Sequence, residues 1–208
     1  MRAMHAPVYA ARLKALVSAI MPHLRPGDRV LDVGCGNGTL GRAIMDDPRC
    51  PTGVVVEGLE RFKRGGEPIT VHAYDGVTMP LPDRSFDLVI VADVLHHEEV
   101  PDRLIKECAR VSRRLLVIKD HVVAGLFAQQ RISFIDWAAN APYGVKCLYT
   151  YNTPSQWAAV RSRHELGLVE ERLSMDLYPP VVNALFGNRL QYFAVTSVPP
   201  TRDPALST

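Results

Sequence analysis

The sequence predicts an α/β fold: a doubly wound, mostly parallel sheet of seven strands whose last strand runs antiparallel. Three observations carry this. Short β-branched runs alternate with helical stretches through most of the chain, the pattern of a parallel sheet covered on both faces. The run "RVLDV" at 29–33 stops abruptly at a cluster of glycines, Gly34, Gly36 and Gly38, as a buried strand does before a tight turn. Near the end, two strand-like runs follow one another with no helical pattern between them. That arrangement implies an antiparallel pair closing the sheet.

The elements can be taken in order. Residues 5–24 read as a helix ahead of the sheet, stopped by "RPGD" at 25–28. After the first strand, "TLGRAIMDD" is a helix. "GVVVE" (53–57) is the second strand and "ITVHAY" (69–74) the third, with only "GLERFKRGGEP" available between them for a short helix. "FDLVIVAD" (86–93) is the fourth strand. "PDRLIKECARV" follows as a helix with proline at its first turn, and "RLLVIKD" (114–120) is the fifth strand. "TPSQWAAVRSRHELG" is a helix with Thr153 as N-cap, Pro154 at its first position and Gly167 near its end. "LVEERLSMDLY" and "RLQYFAVTSV" are the closing strands, joined by "PPVVNALFGN" as a loop.

At 208 residues the chain suits one domain with a sizeable core, here expected over 1–198, with 199–208 a disordered tail. A formal charge of +2 is too small to argue for a nucleic-acid partner. The apolar runs are too short to span a bilayer, and the N-terminus lacks the pattern of a secretory signal. A cytoplasmic location without stable membrane insertion is expected. The four cysteines show no CxxC or metal-ligand spacing, which favours reduced thiols.

The glycine cluster admits two registers. From Gly36 it reads G-x-G-x-x-G, ending at Gly41, the pattern of dinucleotide sites. From Gly34 it reads G-x-G-x-G. The second register abuts the strand directly, and Asp32 lies inside that strand. A carboxylate there needs a cationic or hydrogen-bonding partner and is ill placed beside a pyrophosphate. The G-x-G-x-G register is preferred.

"VLDVGCGNG" then resembles motif I of the class I S-adenosylmethionine-dependent methyltransferases, and "YDGVTMPLPDRSFDLVIVADVLHH" resembles the family's third-strand end and fourth strand. The resemblance implies a Rossmann-like fold and S-adenosylmethionine as cofactor. It implies cofactor contacts from Asp32, Gly34, Gly36, Gly38 and Asp93. It places Glu57, taken as the end of the second strand, on the ribose hydroxyls and Asp75 on the adenine. Helices ahead of the first strand commonly fold over the cofactor in this family, which brings in Tyr9, on one helix face with Arg12.

Two polar clusters fall at strand ends facing the crevice of a doubly wound sheet: "DVLHHEE" from Asp93 and "KDH" at 119–121. His121 and Asp120, and then His96, are the candidate bases. No metal is expected, because adjacent residues such as the HHEE run rarely converge on one ion. Residues 121–152, apolar and aromatic, are expected to form a substrate lid. The function expected is methyl transfer to a small, apolar or aromatic metabolite. The alternatives are a non-methylating reaction on the same fold, such as cyclisation or decarboxylation, and a non-catalytic accessory protein.

Overall fold

The structure is a computed structural model that describes residues 2–140, 147–178, 180–186 and 189–200. Seven strands form one sheet in the order β3-β2-β1-β4-β5-β7-β6. They are β1 (Arg29–Val33), β2 (Val55–Glu60), β3 (Val71–Ala73), β4 (Phe86–Ala92), β5 (Ser112–His121), β6 (Gly167–Arg172) and β7 (Gln191–Ser197). The first five are parallel, and β7 pairs antiparallel with both β5 and β6. The expected architecture is the one observed.

Strand alternation sends side chains to two cores. One face buries Val89, Val91, Leu116 and Ile118 beneath α3 (Pro101–Val111) and α5 (Pro154–Arg163). The other buries Leu88, Ile90 and Val117 beneath α1 (Arg2–Ile20) and α2 (Thr39–Asp46). The predicted cap of α5 is present as a capping box. Thr153 Oγ1 accepts from Gln156 N, and the Gln156 side chain accepts from Thr153 N.

Three elements differ from the sequence reading. β2 continues past Gly58 to Glu60, so Glu57 does not end it. A glycine in a strand reads as a stop, but here it marks a close approach: a Cβ on Gly58 would collide with Cys35 Sγ and press on Val71. No helix joins β2 to β3; Ile69 from that connection instead packs over Gly38 and Gly41. The connection "PPVVNALFGN" contains a short helix, α6 (Pro180–Phe186), rather than only a loop. Its proline at the first position was the available signal. The expected tail beyond residue 200 lies outside the described residues.

The strand glycine offers a direct test. Gly58→Ala should destabilise the fold by about 1–3 kcal/mol through overpacking. Cys35→Ala in the same chain should recover much of that loss. Denaturant unfolding of the two single variants and the double variant measures the coupling. Strictly additive losses would mean that Cys35 is not what excludes a side chain at 58.

Candidate functional site

β1 ends at Val33, and the chain turns through Gly34, Gly36 and Gly38 at φ of +69°, +58° and +75°, a region that L side chains rarely enter. Gly34 N donates to Leu59 O at 2.8 Å, which ties the loop to the end of β2. Gly36 N donates to Glu60 Oε2 at 2.8 Å, and Arg61 N donates to Glu60 Oε1 at the same distance. A Cβ added to Gly36 would meet nothing within 4 Å, so the loop opens onto free space at that point. Gly41 behaves differently: it is buried in α2, and a Cβ there would press on Ile69 and Val56. The last glycine of the competing G-x-G-x-x-G register is therefore a helix-packing residue.

Asp32 is 3% exposed, and its Oδ2 has no hydrogen-bond partner among the described residues. Burial, reinforced by Glu60 and opposed by Arg12, pushes its pKa up to about 7. Two carboxylates thus flank an open glycine loop. Such a cradle suits a ligand with an ammonium group and hydroxyl donors, and it disfavours phosphate.

Glu57, the sequence-predicted ribose acceptor, stands three residues before the end of β2. Its carboxylate accepts from Arg29 Nη2 and pairs with His72 Nε2, both at 2.7 Å. Glu60 occupies the strand end beside the glycine loop. The sequence reading missed it because Gly58 was taken as the stop, although the run "VVEGLE" reaches a second acid three residues on. Asp75 lies just beyond β3, exposed, with Oδ1 accepting from Val77 N and Thr78 N.

The second half of the site lies at the carboxyl ends of β4 and β5. Asp93 follows β4 at φ +55° and is ion-paired with both Lys119 and Arg12. Burial alone would raise its pKa, but Lys119 and Arg12 hold the carboxyl well below the usual carboxylate range. Asp120 is 1% exposed; it accepts from His96 Nδ1 at 2.7 Å and from His121 N at 2.7 Å. His96 Nε2 faces Asp136 Oδ1 at 3.7 Å, and the Tyr151 hydroxyl donates to Asp136 Oδ2 at 2.6 Å. Burial disfavours charge on His96, but Asp120 and Asp136 outweigh it and push its pKa up to about 10. His121 goes the other way: burial, reinforced by Lys119, pushes it down to about 4. Its Nδ1 is buried with no hydrogen-bond partner among the described residues.

Arg12, Asp93, His96, Lys119, His121 and Asp136 form the floor of a cavity of about 440 Å³ walled by Tyr9, Phe134, Ile135, Tyr178, Val182 and Phe186. Tyr9, Asp93, His96 and His121 are therefore brought together, while Asp120 sits behind His96 with its oxygens committed. The expected lid contains α4 (Ala128–Asn140). Ala128 and Ile132 are buried with Leu190, and Phe134, Ile135 and Asp136 look onto the cavity. Residues 141–146 of that segment lie outside the described residues. Arg12, Asp136 and Tyr151 were not named as site residues from sequence. Asp136 is the one acid in the long apolar segment, which was the only signal for it.

Residues 31–115 match the family model described as a methyltransferase domain. A stretch of 119 residues is 38% identical to the 27-O-demethylrifamycin SV methyltransferase of Amycolatopsis mediterranei, covering 49% of this chain and 40% of that protein. A longer match of 192 residues, 26% identical, links it to the ubiquinone/menaquinone biosynthesis C-methyltransferase of Bordetella avium, covering 84% and 70%. The chain therefore spans well under half the length of the first relative. Among solved structures, the 1,6-didemethyltoxoflavin-N1-methyltransferase of Burkholderia thailandensis, with bound S-adenosylhomocysteine, is 15% identical. It superimposes with a TM-score of 0.65 over 92% of this chain and 80% of that one, a likeness of fold. No helix among the described residues is long and apolar enough to cross a membrane. The family match begins inside β1 and ends inside β5, spanning the part of the sheet that carries the glycine loop, and over those residues the chain is similar to methyltransferase domains.

Proposed function

We propose that this protein transfers a methyl group from S-adenosylmethionine to a small, apolar or aromatic metabolite held in the cavity at the ends of β4 and β5. The observation that carries this reading is the cavity itself. Aromatic side chains wall it, a neutral histidine whose Nδ1 has no partner among the described residues stands in its floor, and Val94, next to Asp93, packs against Gly34 of the glycine loop. The relatives' names support it: one acts on 27-O-demethylrifamycin SV and another in ubiquinone/menaquinone biosynthesis.

Asp32, Gly34, Gly36, Gly38 and Glu60 would hold the cofactor, with Asp75 at its adenine side. Glu60 takes the ribose role expected of Glu57, because it ends the strand and reaches the open loop. Asp32, left with an unsatisfied buried oxygen, gains a partner in the amino-acid end of the ligand. When bound, the cofactor supplies an electrophilic methyl group on a sulfonium. The protein's part is alignment of the acceptor, worth up to about 7–11 kcal/mol in favourable cases, and removal of its proton. His121 is the base. Its low basicity is no obstacle, since a hydroxyl or amine becomes strongly acidic as it takes the methyl group. The acceptor's lone pair would take the methyl group that the cofactor supplies, and the acceptor's proton would pass to His121. Asp120 positions His96 and the His121 backbone and does not reach the acceptor.

Two outcomes are expected. Glu60→Gln should weaken S-adenosylmethionine binding by roughly tenfold or more, since hydrogen bonds to charged groups are worth about 1.5–3 kcal/mol. Glu57→Gln should leave binding nearly unchanged while loosening the contacts to Arg29 and His72. Calorimetric titration of both variants decides between the two acids, and the reverse pattern would return the ribose to Glu57.

With an acceptor found by screening small phenols and quinols for release of S-adenosylhomocysteine, His121→Ala should lower turnover by about 10²–10⁴-fold with cofactor affinity intact. Phe134→Ala should mainly raise the acceptor KM. Wild-type turnover in His121→Ala would leave catalysis to alignment alone. Conversion of an acceptor without release of the demethylated cofactor would overturn methyl transfer.

A further inference from the structure

His96 is the centre of a cluster that the methyl-transfer reading leaves unused. One ligand atom from each of His96, His97 and Asp136 falls within 4.8 Å of the other two. The 3.7 Å between His96 Nε2 and Asp136 Oδ1 is too long for an ordinary hydrogen bond. It is a separation spanned by two ligands that each stand about 2.0–2.2 Å from a shared ion. Both residues are dry, at 5% and 2% exposed, and the His97 ring lies 4.0 Å from that of His96.

Both ligands are also fixed from behind. Asp120 accepts from His96 Nδ1 and so turns Nε2 towards Asp136. The Tyr151 hydroxyl donates to Asp136 Oδ2, and Asp136 Oδ1 stands 3.7 Å from His96 Nε2. A carboxylate behind an imidazole and a hydroxyl behind a carboxylate are the outer partners that metal ligands carry. A second triad, Asp93, His96 and His121, lies within the same distance limit. There Lys119 and Arg12 already take the Asp93 oxygens, and two cations oppose a third.

We propose that His96, His97 and Asp136 bind a divalent first-row transition ion of the zinc class, with an open coordination position towards the cavity. Two imidazoles and one carboxylate suit zinc, iron or cobalt and do not suit magnesium or calcium. Three protein ligands leave a fourth position for water or substrate. All three side chains line the 440 Å³ cavity, so that position faces the acceptor site. An oxygen of the acceptor would take it, a consequence that rests on the methyl-transfer reading, whereas the ion site does not.

The test uses tag-free protein stripped with a chelator and titrated with Co²⁺, Zn²⁺ and Mg²⁺. Co²⁺ should develop ligand-field absorption that saturates at one ion per chain and is displaced by Zn²⁺; Mg²⁺ should do neither. Asp136→Asn and His96→Gln should lose the spectrum, and Asp120→Asn should weaken Zn²⁺ binding by about 10–100-fold. His121→Ala should keep it. Circular dichroism checks that each variant is folded, and the wild-type spectrum needs no variant. Absence of a saturable Co²⁺ spectrum in the wild type overturns the site. A spectrum that survives Asp136→Asn but not His121→Ala overturns this ligand set. S-adenosylmethionine titrations on the same stripped protein report on the cofactor reading separately, so the two can fail independently.

Discussion

The arrangement of the functional end of the sheet depends on pairing one buried cation. Lys119 is 2% exposed near the end of β5, where an unpaired ammonium would be strongly unfavourable; removing one partner of such a pair costs about 3–5 kcal/mol. Its partner is Asp93, whose other oxygen takes Arg12 from α1. The pairing therefore fixes the turn after β4 and draws the first helix over the strand ends. One residue on, Asp120 is buried against His96 and the His121 backbone. That carboxylate also accepts from His96 N, which ties the turn at residues 95–97 to β5. Charge pairing, more than apolar packing, sets where the cavity floor lies.

From this frame the site divides into two halves with opposite electrostatics. The glycine loop presents Asp32 and Glu60, two carboxylates close enough that Glu60 helps to raise the pKa of Asp32. The cavity presents Lys119 and Arg12 paired with Asp93, and His96 set between Asp120 and Asp136. A cofactor with an ammonium, a sulfonium and ribose hydroxyls, and no phosphate, fits the first half. The second half offers an aromatic wall and a floor rich in donors. The oppositely shifted His96 and His121, 4.9 Å apart between ring centroids, give two imidazoles two different roles.

Most of the fold was legible because its signals are local. β1, β4 and α3 follow from apolar periodicity and a glycine or proline at their ends, and α5 from Thr153 and Pro154. β2 was misread at Gly58, where a contact with Cys35 from the neighbouring loop, invisible in sequence, requires the glycine. That reading put Glu57 rather than Glu60 at the end of the strand. In the cavity, the strand-end residues Asp93, His96 and His121 were identified because strand ends are where crevices form. Asp136 and Tyr151 were not, because their meeting with His96 depends on how α4 and the returning segment at Val122 and Asn152 fold back over the sheet. Residues whose role arises from tertiary contact, as between Tyr151 and Asp136 or His96 and Asp136, leave no spacing pattern to read.

The central claim is that the cofactor lies along the glycine loop between Asp32 and Glu60 and meets the acceptor cavity only at Asp93. A crystal structure with bound S-adenosylhomocysteine tests it most directly. The account predicts ribose hydroxyls on the Glu60 carboxylate, the amino-acid end beside Asp32, and the sulfur facing the cavity floored by His121. Ribose density on Glu57, or the nucleoside seated between Phe134 and Phe186, would contradict it.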